Sequence, residues 1–280
     1  MNTRRNILDR ITAALVPLYD AREARSIARY YVAEAARLPL SALLADPDAE
    51  VRIEHFDEDL ARLAAGCPVQ YVVGAADFFG RRFAVREGVL IPRPETEELV
   101  AWILADEPQA RRILDIGTGS GCIAATLALE LPAAELFAAD ISERALAVAA
   151  ENCRALGAKV VLRQADALTD LAERFPERFD LLVSNPPYVP ECDRAAMHPN
   201  VRDHEPPEAL FVPDDDPLRY YRAIARAGRR MLAPGGRLYF EIYHRAGDAL
   251  VRMLSDEGYG AIRLRNDMNG KPRMLCARLA

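Results

Sequence analysis

The residues best placed to do chemistry stand in VSNPPY, residues 183–188. This stretch continues the apolar run FDLLV and arranges an amide, Asn185, and a phenol, Tyr188, around two consecutive prolines. Neither proline can extend a strand or enter a helix interior, so the chain must leave a buried strand and turn rigidly here. The pattern predicts a fixed bend that presents polar groups at a strand end.

This bend carries the groups needed to hold a planar NH2. Such a nitrogen is a poor nucleophile because its lone pair is delocalised, so orientation matters more than a general base. We expect the Asn185 side-chain oxygen and the Pro186 carbonyl to accept one N–H each and aim the nitrogen at a methyl group. Pro187 would stiffen that carbonyl, and Tyr188 would stack on the planar group and exclude water.

A glycine loop lies upstream, in LDIGTGSGCIA. Gly117, Gly119 and Gly121 let the backbone pass close to a ligand between a strand and a helix. Their GxGxG spacing differs from the GxGxxG fingerprint of dinucleotide sites, and the Lys-Ser or Lys-Thr of a phosphate-cradling loop is absent. The loop therefore favours a nucleoside without phosphate, although NAD binding and a plain glycine turn are alternatives.

Carboxylates end three successive strands and narrow the choice of ligand. Asp115 precedes the glycines, Asp140 ends the next strand where a ribose-binding acid belongs, and Asp166 ends the one after that. These acids suit S-adenosylmethionine (SAM), which carries a sulfonium and an ammonium group. We expect Asp115 to face the ammonium group, Asp140 the ribose and Asp166 the adenine amino group.

The elements that must position these residues follow an alternating pattern. From Arg112 onward, short apolar strands alternate with amphipathic helices, which predicts an α/β fold around a buried, mainly parallel sheet. The last two strands, YGAIRLRND and RMLCARLA, have no helix between them, so we expect an antiparallel pair at the sheet edge. Asn185 would then lie beside the switch point where such sheets bind ligands.

The residues before Arg112 follow a different sequence pattern. Helical spacing in NILDRITAALVPLY, AREARSIARYYVAEAARL and AEVRIEHFDEDLARLAAG (residues 49–66) predicts a bundle of four or five helices. Val, Tyr, Phe and Gly enrichment over residues 69–86 predicts a β-hairpin. The expected domains are a helical domain at 1–66, a hairpin linker at 67–92 and a catalytic domain at 93–280.

Composition sets the broad class. The 280 residues are 51% hydrophobic and 28% charged, as in soluble globular proteins. No apolar stretch reaches about 18 residues and the N-terminus lacks an apolar signal region, so a cytoplasmic protein without a membrane span is expected. A net charge of −6 weighs against extensive nucleic-acid binding. Scattered cysteines and histidines predict no metal site.

The chain resembles a known family at this level of detail. LDIGTGSG, Asp140 and NPPY are similar to class I SAM-dependent methyltransferases that act on planar nitrogens. PVQYVVG, FFGRRFAV, VLIPRPETEELV, EPPEALF and LAPGGRLYFEI resemble the release factor glutamine N5-methyltransferases, the HemK-like family, over essentially the whole chain. Residues 89–100 are the most discriminating tract, because nucleic-acid methyltransferases with NPPY generally lack it.

The resemblance implies a Rossmann-like class I methyltransferase sheet and methyl transfer from SAM to the Gly-Gly-Gln glutamine of class 1 release factors, leaving S-adenosylhomocysteine. Asp140 would bind ribose and residues 185–188 the substrate glutamine, with Asn185 also near SAM. Ala167 replaces a frequent aromatic residue, and Tyr243 a frequent small one. The implied cofactor site comprises Gly117, Thr118, Gly119, Ser120, Gly121, Asp140, Asp166, Ala167 and Asn185; the implied catalytic residues are Asn185, Pro186 and Tyr188.

Two rival functions stay open in the sequence, and one of them is a non-enzymatic SAM-sensing scaffold in which the NPPY turn is idle. An NPPY methyltransferase can also act on the exocyclic amine of a DNA or RNA base, which requires base extrusion and a basic channel. The helical domain is expected to dock the body of the release factor, since one glutamine side chain offers little surface for specificity. Alternatively, its apolar faces form only its own core. A monomer is the default expectation.

Overall fold

The computed structural model describes residues 3–280, which form two compact units. The helical unit comprises residues 3–75 together with His198–His204. The sheet unit comprises residues 76–197 and 205–280. No helix among residues 3–280 is both long and apolar enough to cross a bilayer.

The helices, numbered in chain order, are α1 Arg4–Leu15, α2 Ala21–Ala35, α3 Leu40–Ala45, α4 Phe56–Ala64, α5 Val69–Val73, α6 Pro94–Asp106, α7 Cys122–Glu130, α8 Glu143–Leu156, α9 Leu171–Arg174, α10 Pro199–Arg202, α11 Pro207–Leu210, α12 Arg219–Met231 and α13 Gly247–Asp256. A 3₁₀ helix covers Glu191–Ala196. The strands are β1 Ala75–Phe78, β2 Arg81–Ala84, β3 Arg112–Ile116, β4 Glu135–Asp140, β5 Val160–Gln164, β6 Phe179–Ser184, β7 Val189–Pro190, β8 Phe211–Val212, β9 Leu232–Glu241, β10 Tyr259–Asn266 and β11 Pro272–Leu279.

The helical unit is built on amphipathic spacing. Ile7, Ile11 and Leu15 repeat every four residues along α1 and are fully buried against the inward face of α2. Asp20 caps α2 by accepting hydrogen bonds from the N–H groups of its first turn. The predicted helical bundle is therefore present in this unit.

One predicted helix is shorter than its pattern suggested. The helix predicted over residues 49–66 begins only at Phe56, because His55 adopts a left-handed backbone with φ +57°. Val51 and Ile53 still pack on the helical core, so their apolar character serves burial without helical geometry. Hydrophobic spacing alone cannot separate these two cases.

The predicted hairpin over residues 69–86 is correct only in its second half. Residues 69–73 form helix α5, which starts after Pro68 and ends at Gly74 in the left-handed conformation. The hairpin β1–β2 follows, and Phe79 and Gly80 turn it with φ +50° and +69°. Valine and tyrosine enrichment indicated strand where local capping residues favoured a helical turn.

The sheet unit contains a seven-stranded sheet of order β10-β11-β9-β6-β3-β4-β5. The five strands from β9 to β5 run parallel, and β11 lies antiparallel between β9 and β10. Neighbouring residues of β6 face opposite apolar layers, with Leu182 in one core and Leu181 and Val183 in the other. Burial on both faces explains the near-continuous apolar strands. The α/β prediction with an antiparallel edge pair is confirmed.

Candidate active site

The strand register brings the predicted site residues to one edge of the sheet. Ile116 at the end of β3 pairs with Ser184 at the end of β6, and Ser184 pairs with Phe240 of β9. The Ser184 hydroxyl also donates to the Ile116 carbonyl at 2.6 Å. Chain order reverses between β3 and β6, so Gly117 and Asn185 emerge side by side at the switch point.

A cleft of about 1110 Å³, including the space at its mouth, lies at this edge. Most of the predicted site residues line it: Gly117, Thr118, Gly119, Ser120, Asp140, Asp166, Ala167, Asn185, Pro186 and Pro187. Gly121 and Tyr188 do not line it; Gly121 caps α7, where an added Cβ would meet the Ala149 Cβ at 3.0 Å.

The glycine loop leaves open space above its backbone. Gly117 and Gly119 have φ +73° and +55°, and a Cβ added at either would meet no protein atom within 4 Å. The loop is held from below, because Asp115 accepts hydrogen bonds from the Thr118 hydroxyl at 2.6 Å and the Ala124 N–H at 3.2 Å. This geometry forms a cradle for a ligand that approaches the backbone closely.

Asp115 differs from the sequence-based interpretation. Its side chain is fully buried and does not line the cleft, so the structure does not place it where a bound ammonium group would lie. Burial raises its pKa from the usual 3.8 to about 7, and its Oδ1 has no hydrogen-bond partner among the described residues. The residue ties the loop to α7.

Asp140 is fixed where a ribose-binding acid was predicted. Its Oδ2 accepts the Gly119 N–H and its Oδ1 accepts the Ser142 N–H, both at 2.9 Å. Burial raises its pKa, whereas these backbone hydrogen bonds lower it. Each carboxylate oxygen keeps a second lone pair that can accept a ligand hydroxyl.

Apolar residues line the same cleft as the Asp140 carboxylate. Ile141 lines the cleft and leaves 60% of its surface exposed, unusually high for a large aliphatic residue. Ala167 lines the same cleft and follows Asp166, whose carboxylate accepts from the Leu168 N–H at 2.8 Å. Ile141 was not among the predicted site residues, although its position directly after a strand-end acid could have indicated it.

The amide of the bend is held by a residue far away in sequence. Asn185 Nδ2 donates to Thr96 Oγ1 at 3.2 Å, and the Thr96 hydroxyl donates to Glu241 Oε2 at 2.6 Å. The Tyr188 hydroxyl donates to Glu241 Oε1 at 3.0 Å. Burial raises the pKa of Glu241, which the hydrogen bonds from Thr96 and Tyr188 oppose.

Tyr188 therefore has a structural contact that the sequence did not predict. Its phenol points to Glu241, and its ring lies 6.4 Å from that of Tyr243, centroid to centroid. Tyr243 in turn donates to Asp193 of the 3₁₀ helix. Tyr243 thus adds a second aromatic ring beside the bend. The stacking of Tyr188 on a substrate stays a prediction.

The tract before α6 forms another wall of the cleft. Residues 90–93 and Thr96 line it. The Glu205 side chain, only 1% exposed, accepts hydrogen bonds from the Ile91 N–H at 3.2 Å and from Arg93. None of Glu205, Glu241 and Thr96 was among the predicted site residues.

The donor set of the cleft fits SAM. Asp140, Asp166 and Glu208 supply carboxylates, whereas Arg93, the basic residue in the wall, is already paired with Glu205. A wall with this charge balance suits a cationic sulfonium ligand better than a phosphate. Open space over the glycine loop and the exposed apolar Ile141 leave room for a nucleoside.

Comparison with known families agrees with this geometry. Residues 6–74 match the PrmC N-terminal domain, and residues 95–200 match the methyltransferase small domain. A release factor glutamine methyltransferase of Bacteroides thetaiotaomicron is 51% identical over 77% of this chain and 77% of its own length. One of Flavobacterium psychrophilum is 38% identical over 97% of both chains.

Solved structures show the same fold at lower identity. A methyltransferase from Pyrococcus furiosus aligns with a TM-score of 0.55 and 15% identity, over 79% of this chain and 98% of that one. The 16S rRNA N2 G1207 methyltransferase of Thermus thermophilus, solved with AdoMet and guanosine, aligns with a TM-score of 0.52 and 18% identity, over 74% and 50% of the two chains.

Proposed function

Because this chain belongs to the release factor glutamine methyltransferase family, we propose that it methylates the side-chain nitrogen (N5) of the Gly-Gly-Gln glutamine in class 1 peptide-chain release factors, using SAM. The observation that carries the proposal is the single cleft shared by the glycine loop, Asp140 and the acceptors of Asn185 and Pro186. S-adenosylhomocysteine is the product left behind.

Different residues of the cleft bind different parts of the cofactor in this proposal. Bound SAM supplies an electrophilic methyl group on a sulfonium. Gly117 to Ser120 cradle it, and Asp140 accepts hydrogen bonds from its ribose hydroxyls. Ile141 and Ala167 cover the adenine faces, and Asp166 accepts from the adenine amino group.

The residues that bind the substrate orient its amide nitrogen and do not act as a general base. Asn185 Oδ1 and the Pro186 carbonyl each accept one N–H of the glutamine amide, which turns the nitrogen lone pair toward the methyl group. SAM held by these residues would supply the methyl group, and the electrons of the broken S–C bond would leave with S-adenosylhomocysteine. The alkylated nitrogen then loses one proton to water. The rate gain arises from positioning the two reactants in one cleft.

Specificity for the release factor requires contacts outside the cleft. A single glutamine side chain offers little contact area, so we propose that the helical unit docks the body of the release factor. The domain assignment carried by this proposal is a docking domain at 1–66, a linker at 67–92 and a methyltransferase domain at 93–280. The enzyme acts on a cytoplasmic substrate as a monomer and makes no direct contact with nucleic acid.

Mass spectrometry of the Gly-Gly-Gln peptide tests the proposal. After incubation of a purified release factor with this protein and SAM, the glutamine is expected to gain the mass of one methyl group. Parallel reactions contain ribosomal RNA or DNA with labelled SAM. Label in nucleic acid together with an unmodified peptide would overturn the proposal in favour of the base-methylating alternative.

A further inference from the structure

The contacts around Glu241 form a directed chain that ends at Asn185. Glu241 is 1% exposed at the end of β9, beside the strand that carries the bend. Both of its carboxylate oxygens are engaged, Oε2 by the Thr96 hydroxyl at 2.6 Å and Oε1 by the Tyr188 hydroxyl at 3.0 Å. Its backbone carbonyl accepts from the Tyr221 hydroxyl at 3.0 Å.

Hydrogen-bond directions in this chain follow from chemistry. Both carboxylate oxygens of Glu241 act as acceptors, so the Thr96 proton points to Glu241. The Thr96 oxygen is then left with acceptor capacity alone, and the group facing it has to be a donor. Asn185 meets that demand only with its NH2, which lies 3.2 Å away. The amide oxygen of Asn185 is thereby turned to the other side.

We propose that Thr96 and Glu241 are positioning residues which hold the Asn185 amide in the one orientation that offers its oxygen to the substrate nitrogen. The inference rests on the proposed function, in which Asn185 Oδ1 accepts an N–H of the substrate amide. A flipped Asn185 would present NH2 to NH2, so two donors would face each other and the substrate would lose its alignment.

A carboxylate at position 241 fixes the direction of the hydrogen bonds from Thr96 and Tyr188. A neutral amide at this position would turn one NH2 toward either Thr96 or Tyr188, and the hydroxyl that met it would have to reverse. A carboxylate imposes the donor role on both hydroxyls at once. Burial raises the pKa of Glu241, and the hydrogen bonds from Thr96 and Tyr188 and the positive charge of Arg273 act in the opposite direction.

The test compares two substitutions of Thr96 with a matched one elsewhere in the sheet unit. Thr96→Val removes the hydroxyl at nearly constant volume, whereas Thr96→Ser retains it. Thr126→Val makes the same buried change in α7, where the Thr126 hydroxyl has no hydrogen-bond partner among the described residues. Methyl transfer to a release factor is followed with labelled SAM, and SAM affinity by calorimetry.

We expect Thr96→Val to lower kcat by about 10- to 100-fold while SAM affinity changes less than about threefold. Thr96→Ser should restore most of the lost kcat, and Thr126→Val should match the unmodified protein. Thr96→Ala carries the same expectation as Thr96→Val and replaces it if the valine variant does not bind SAM.

Two results would contradict the inference. One is a kcat of Thr96→Val and Thr96→Ala close to that of the unmodified protein. The other is a loss in both that Thr96→Ser shares fully, because the hydroxyl would then not be the acting group. Failure of the proposed function is distinct from both, since the unmodified protein itself would then leave the release factor unlabelled.

Discussion

The Gly119 N–H donates a 2.9 Å hydrogen bond to the Asp140 carboxylate, which joins the glycine loop to the acid that ends the next strand. Asp140 ends β4 and Gly119 lies in the loop that follows β3, so the parallel pairing of these strands brings the two residues together. One carboxylate thus both shapes the loop and faces the cleft, where it can accept ribose hydroxyls.

Asp140→Ala is expected to weaken SAM binding by at least about 30-fold. Hydrogen bonds to a charged group contribute roughly 1.5–3 kcal/mol each, and the alanine variant loses those to the ribose as well as the tie to Gly119. Calorimetric titration with SAM measures the change. Asp216→Ala, which removes an acid paired with Arg222 outside this cleft, is the control. Equal affinities of the two variants would remove Asp140 from the cofactor site.

Asn185→Ala should retain SAM binding within about fivefold yet lose at least about 100-fold in kcat. The substitution removes the acceptor that orients the substrate nitrogen, and positioning terms of this size are common in group transfer. Single-turnover assays with labelled SAM and a release factor measure the step. Asn266→Ala, at an exposed position of the edge strand β10, is the matched control. Turnover of Asn185→Ala near that of the control would rule out the orienting role.

Arg93→Ala is expected to lower the free energy of unfolding by roughly 3–5 kcal/mol. It leaves the carboxylate of Glu205, 1% exposed, without its cationic partner. The double variant Arg93→Ala/Glu205→Gln should recover much of this loss, because it removes the unpaired charge. Urea denaturation at constant pH measures all three proteins.

The control for this pair is Arg112, which bonds Glu135 on the surface with both side chains about half exposed or more. Arg112→Ala should change stability little, because exposed ion pairs are solvated and screened. If Arg93→Ala behaved like Arg112→Ala, the buried pair would not hold the wall of the cleft.

Asp115→Asn should reduce the dependence of stability on pH. Burial raises the Asp115 pKa from 3.8 to about 7, so between these values the folded state binds a proton that the unfolded state does not. The stability that this proton contributes is fully present below about pH 3.8. As pH rises from there to about 7, the free energy of unfolding falls by at most about 1.4 kcal/mol per pH unit. Above about pH 7 the contribution is constant.

Denaturant titrations between pH 4.5 and 8, without SAM, measure this effect as the difference between the two proteins. Groups that do not interact with residue 115 titrate equally in both proteins, so their contributions cancel in the difference. The unmodified protein should lose stability relative to Asp115→Asn as pH rises through this window. Parallel pH profiles for the two would show that the buried carboxyl titrates normally.

Sequence reasoning succeeded where local chemistry decides structure. Alternating apolar strands and helices predicted the parallel sheet, and acids at strand ends predicted a cleft whose wall contains Asp140 and Asp166. Reasoning failed where one pattern fits two structures, as in residues 69–73, where apolar β-branched residues form a helix. The prediction that Asp115 faces a ligand in the cleft was wrong, because the side chain of a strand-end acid can be buried below the loop as well as directed into the cleft.

The sequence by itself determined which residues end the strands at the switch point, because parallel strands of one sheet deliver their carboxyl ends to a common edge. Tertiary structure alone decided how Asn185 is oriented. Its partners Thr96 and Glu241 come from α6 and β9, distant along the chain, and no periodicity links them. The direction of a hydroxyl proton depends on the acceptor that folding brings beside it, and that acceptor is visible only once the chain has packed.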